Sequence, residues 1–137
     1  MAYQGWLIRV GNYTIPLSVI KADSYSVFLS TGDADSYSDE NYVLHRNATG
    51  IAPKIEFETI PLLTNAQFAD LMSNIRSQYI NANEKKCSVT AYQPETDDYF
   101  TQDCYIPDIK PQMYLASDTE IWYDPIRFAF IGYGEPL

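Results

Sequence analysis

The sequence predicts a mainly β fold of α+β character, a β-sandwich or partly closed barrel of about eight strands with one helix on its flank. Three observations carry that expectation. The chain holds 12 tyrosines, 6 phenylalanines and 2 tryptophans, side chains that suit pleated, half-buried surfaces better than helices. Lys54–Ile60 and the runs flanking "PETD" alternate apolar and polar residues with period two. Only Thr64–Ile80 shows the 3.6-residue period of an amphipathic helix. With 137 residues the chain suits a single domain, residues 1–137, interrupted by a long loop at 32–50.

The elements follow in order. "WLIRV", Trp6–Val10, reads as a short strand, Gly11–Asn12 as a turn, and "YTIPL" as the partner, ended by Pro16, which has no backbone donor. Val19–Ser30 alternates imperfectly and reads as a second strand or a bent pair. In Lys54–Ile60, Ile55, Phe57 and Thr59 share one face, and Lys54, Glu56 and Glu58 share the wet one. Thr64 and Gln67 form a capping box ahead of a stripe of Phe68, Leu71, Met72, Ile75 and Tyr79.

"KKCSVTAYQ" and "DYFTQDCYI" read as a hairpin closed by Pro94–Asp97. A symmetric register pairs Gln93 with Asp98 and sets Cys87 opposite Cys104. Two opposed cysteines could oxidise, but a protein made in the cytoplasm favours two reduced, buried thiols. "IPDIKPQMYLAS" reads as a proline-marked crossing and a short strand. "EIWYDPIRFAFIGYG" reads as one broken or two short strands, with Pro125 at the break and both faces of the last strand covered. The tail "EPL" reads as loose.

The net charge of −9 argues against a surface built to grip nucleic acid, which needs Lys and Arg, while an acidic wall suits a conduit that does not hold what passes through it. The opening "MAYQGWLIRVGNYTIP" lacks a basic region followed by an apolar core, and no apolar run approaches the roughly 20 residues of a membrane span. The expectation is a soluble protein with no membrane partner.

No chemistry stands out. One histidine and two distant cysteines make a zinc site very poor. "DADSYSDENYVL" can be laid on a calcium loop, but Ser38 stands where glycine is needed and Leu44 where a bidentate glutamate is needed. No Gly-x-Ser-x-Gly elbow marks a serine for His45 to activate, and no glycine-rich loop cradles a phosphate. The expectation is no enzyme, no metal, no cofactor and no catalytic residue. What remains is recognition. Gly32–Gly50 reads as a contact arm in which Asp35, Tyr37, Asp39, Tyr42, His45, Arg46 and Asn47 meet a neighbour, since loops above about 12–15 residues are usually functional or disordered.

Four stretches then carry a resemblance: "MAYQGWLIRVGNYTIP", "DSYSDENYVLHRNATG", "KIEFETIPLLTNAQFADLMSNIRSQY" and "VTAYQPETDDYFTQDCYIPD". They resemble small proteins encoded among the tail genes of siphophages and prophages of Gram-positive bacteria, and the layout is similar to phage tail-tube and distal-tail proteins. The match spans nearly the whole chain, with Tyr42 where glycine is common ahead of "LHRN". The resemblance implies a tail structural protein, of the tube or the distal tip ring, made in the host cytoplasm and carried in the virion. It implies self-assembly, as a hexameric ring, with other tail proteins as partners and DNA as a passing, unbound neighbour. It also implies that Gly32–Gly50 is the arm between subunits and that the Lys85–Ile106 hairpin contributes to the channel wall. Two other readings are a carbohydrate-binding host-attachment module and a tail-assembly chaperone. The first would stack sugars on Trp6, Trp122 or tyrosines, although both tryptophans read as core residues.

Overall fold

The structure is a computed structural model, and it describes the backbone of residues 2–33, 37–38, 44–45, 48–133 and 135–136. The first hairpin is β1 (Ile8–Val10) and β2 (Tyr13–Thr14), turned at Gly11–Asn12. Gly11 has φ +58°, and a Cβ there would run into the Gln78 side chain, so the turn depends on glycine for both conformation and space. A 3-10 turn, Leu17–Val19, leads to β3 (Ser26–Asp33). Two short strands, β4 (Tyr37–Ser38) and β5 (Leu44–His45), precede β6 (Ala48–Glu58). Next come β7 (Leu63–Thr64) and the helix α1 (Asn65–Arg76). The long hairpin is β8 (Lys86–Gln93) and β9 (Asp98–Tyr105). The chain ends with β10 (Met113–Ala116), β11 (Ile121–Tyr123), β12 (Arg127–Gly132) and β13 (Glu135–Pro136). Eight of the described strands have three or more residues, which matches the strand number expected.

The large sheet is antiparallel in the order β3–β6–β12–β9–β8–β1–β2, with β13 joining β6 beyond the end of β12. A second sheet, β10–β11–β7, stands beside α1. Together they cover one face of the large sheet. Ile8, Val10, Ile55, Phe57, Val89, Phe128 and Phe130 of the large sheet bury against Leu63, Leu71, Met72 and Ile75. The rings of Phe57 and Phe128 stack 5.1 Å apart, and Phe68 of α1 meets Tyr123 edge-on at 5.4 Å. The fold class is therefore the expected one: mainly β, in two layers, with the helix on a flank.

Local rules account for most of this. Thr64 caps α1 by accepting from the Gln67 N–H at 3.2 Å, and the Gln67 side chain accepts from the Thr64 N–H at 3.1 Å, the capping box read from sequence. The β8–β9 register is also the one expected, with Gln93 opposite Asp98 and Cys87 opposite Cys104. Cys87, Val89 and Ala91 face the core.

Several boundaries differ. The first strand begins at Ile8, and Trp6 lies outside it, drawn instead onto Tyr99. Val19–Ser30 holds one strand, β3, preceded by a single bridge between Ile20 and Thr59. The helix stops at Arg76, where the chain reverses through 77–85 to begin β8, yet Tyr79 still packs against the core. Of β12, Phe128, Ala129 and Phe130 are buried but Arg127 is exposed, so its second face is only partly covered. The tail is not loose at Glu135–Pro136, which pair with Ile51 and Gly50. Both tryptophans are half-buried rather than core.

Candidate functional site

Within the stretch expected to be a loop, the described residues pair as antiparallel strands. β3 and β6 pair from Ser26–Glu56 out to Gly32–Gly50 and Asp33–Ala48, and farther out Tyr37 pairs with His45 and Ser38 with Leu44. β12 supports β6 only over Lys54–Glu58, so beyond Pro53 the arm is two strands wide except where β13 adds Glu135 and Pro136. Asp35, Asp39, Tyr42, Arg46 and Asn47 lie outside the described residues. For Tyr37 and His45 the backbone pairing alone is described. Gly32 and Gly50, the bounds of the expected loop, sit opposite each other within the ladder.

The second surface is the open face of the large sheet. Arg9, Lys54, Lys86 and Arg127 lie there among Glu56, Glu58 and Asp103, so this face is balanced in charge despite the chain's −9. Glu56 sits in a cross-strand ion pair network. Lys54 Nζ donates to its Oε1 at 2.9 Å and Arg127 Nη2 at 2.6 Å. The hydrogen bond from Lys54, reinforced by Arg127, holds the Glu56 carboxyl below the usual carboxylate range. Lys86 stands 4.8 Å over the Tyr133 ring.

Toward the β8–β9 tip this face carries a row of aromatics. Tyr3 meets Tyr92 edge-on at 5.4 Å, Tyr92 meets Tyr99 at 5.6 Å, and Tyr99 stacks on Trp6 at 4.3 Å. The Arg9 guanidinium also lies 4.3 Å from the Trp6 centroid. Trp6 thus carries two partners, the Tyr99 ring and the Arg9 guanidinium. The Tyr99 hydroxyl donates to the Trp6 carbonyl at 2.9 Å, and the Tyr92 hydroxyl donates to Asp97 at 2.8 Å. The row therefore ties residues 3–6 to the hairpin.

A third surface is β10, which pairs with β11 alone among the described residues. Met113, Tyr114 and Leu115 are all exposed, Tyr114 at 62%. An apolar strand with one free edge is a template for another chain. Sequence reasoning placed this strand but gave it no role. Its signal was present in "MYLA", an apolar run between two prolines and a polar turn. Among the described residues no group of three His, Cys, Asp or Glu could hold a metal ion, and no helix is long and apolar enough to cross a membrane.

Residues 1–133 match the "Family of unknown function (DUF6711)". No curated protein matches the chain. Among solved structures, the chain is similar to a protein in the tail of an empty GTA particle, computed with helical refinement in C6 symmetry. The similarity has a TM-score of 0.52 at 14% identity, and it covers 99% of this chain and 99% of that one. At that identity the likeness is one of fold, shared from end to end.

Proposed function

This chain belongs to the family of unknown function DUF6711, and we propose that it is a structural subunit of a phage-type tail, assembling with copies of itself in a six-fold ring. The observation that carries this reading is the end-to-end fold likeness to a chain of a C6-symmetric tail. The surfaces support it. The arm projects past its own sheet, and β10 offers an apolar edge, both of which suit contacts between copies. The subunit makes and breaks no covalent bond. In a ring, DNA passes it unbound: among the described residues the open face offers mostly paired cations. Its place is the virion, in the tube or in the distal ring.

Quantitative mass spectrometry of purified tail particles tests this reading. A tube subunit is present in many copies per particle, and a distal ring subunit in about one ring's worth. Absence from the finished particle would overturn the structural role and favour an assembly chaperone.

A further inference from the structure

Alongside α1 runs an open groove of about 420 Å³, floored by Phe68, Met72, Ile106 and Ile109. Arg76, in the last turn of α1, and Lys85 stand on its rim. A second hollow of about 540 Å³ shares Phe68, Met72 and Arg76 and carries the groove on past Tyr123. Lys85 is paired with Asp108 at 3.1 Å, while Arg76 is exposed and in no ion pair among the described residues. In a chain with 18 acidic and 9 basic residues, Arg76 gives this apolar trough a cationic rim, beside the Lys85–Asp108 pair.

The chain also holds a segment of matching chemistry. "DADSYSDENY", residues 33–42, carries Asp33, Asp35, Asp39 and Glu40 with two tyrosines and no cation. Tyrosine rings suit the floor, and the carboxylates suit Arg76 and Lys85. The registers place the root of the arm away from the groove. Lys54, Ile131, Tyr105 and Lys86 lie level across the sheet. From that level β6 runs back toward Ala48 and the arm on the same side as the β8–β9 tip. Lys85 and Ile106 lie on the other side. The root of the arm, Asp33 and Ala48, and the groove thus sit toward opposite ends of the sheet, which suits a head-to-tail contact between copies.

We propose that the groove beside α1 receives the acidic arm of a second copy of this chain, a contact that rests on the self-assembly reading above and gives it a specific seat. The test measures fluorescence anisotropy of a labelled peptide of residues 32–50 titrated with the full-length chain. The expected result is saturable binding that weakens with salt and falls at least about tenfold in R76E/K85E. A peptide carrying D35K and D39K should recover binding to that variant. Because Arg76 is exposed and in no ion pair among the described residues, R76E alone serves as a second, milder variant, and circular dichroism checks that both fold. No saturable binding, binding indifferent to these substitutions, or no recovery with the swapped peptide overturns the proposal. Absence of the chain from tail particles would defeat the tail role and leave this binding result standing.

Discussion

Cys87 and Cys104 face each other across the β8–β9 ladder, both buried and both free thiols. Burial is the main reason their proton affinities rise, to a pKa of about 11 for Cys87 and about 12 for Cys104, with the Asp103 carboxylate adding to the first. The neutral thiols are therefore the favoured form at neutral pH, and thiolate attack is suppressed. A thiol reagent at pH 7 should label neither cysteine in the native chain and both in denaturant. The linkage has a definite sign. These folded-state values lie above the unfolded one, so the stabilisation is complete below about pH 8.5 and is lost as pH rises through the folded values. Urea midpoints should fall between pH 8.5 and about 11, and less steeply in C87V/C104V.

Thr59 is a buried polar residue with a defined task. Its hydroxyl accepts from the Ile126 N–H at 2.9 Å, and its own N–H donates to the Ile126 carbonyl at 2.9 Å. That pair closes β6 onto the start of β12, just after Pro125. Thr59→Val keeps the shape and leaves the Ile126 N–H without a partner. The expected cost is about 1–3 kcal/mol, read from urea denaturation. Thr59→Ser retains the acceptor and should cost less.

The sequence made some of this legible for physical reasons. The β8–β9 register could be read because a four-residue turn and strict alternation leave one way to bury Cys87, Val89 and Ala91. The helix start could be read because Thr64 and Gln67 satisfy each other's backbone locally. The arm could not. Its sequence between Gly32 and Gly50 lacks the apolar–polar alternation on which strand reading depends. The groove was hidden for another reason. Arg76 and Lys85 share a rim only because the chain reverses between them, and their floor comes partly from Ile106 and Ile109, about 20 residues farther on.

Glu56 predicts an acid sensitivity. Its carboxyl accepts from Lys54 on its own strand and from Arg127 on the neighbouring one, and its folded pKa lies below the ordinary value. For a depressed carboxylate the stabilisation is present above the unfolded pKa, about 4.3, and is lost as pH falls through the folded value. Glu56→Gln should therefore narrow the difference between urea midpoints at pH 7 and pH 3. Added salt should narrow it too, since the network is partly exposed. Equal pH dependence in parent and variant would remove Glu56 as a source.

The arm gives the sharpest separation of folding from assembly. Beyond Asp33 and Ala48, Tyr37 pairs with His45 and Ser38 with Leu44, outside the large sheet. Asp33 and Ala48 are already cross-strand partners, so replacing residues 34–47 with Asn-Gly would close the ribbon with a two-residue turn. If this segment serves a neighbour and not its own core, the shortened chain should melt within about 2 °C of the parent. Under the proposed role it should also fail to incorporate into tail particles when it replaces the parent gene during particle production. Incorporation at parental levels would show that copies meet through other surfaces, β10 foremost. Unfolding of the shortened chain would mean that the arm supports its own domain, and the ribbon would then owe its length to stability and not to a neighbour.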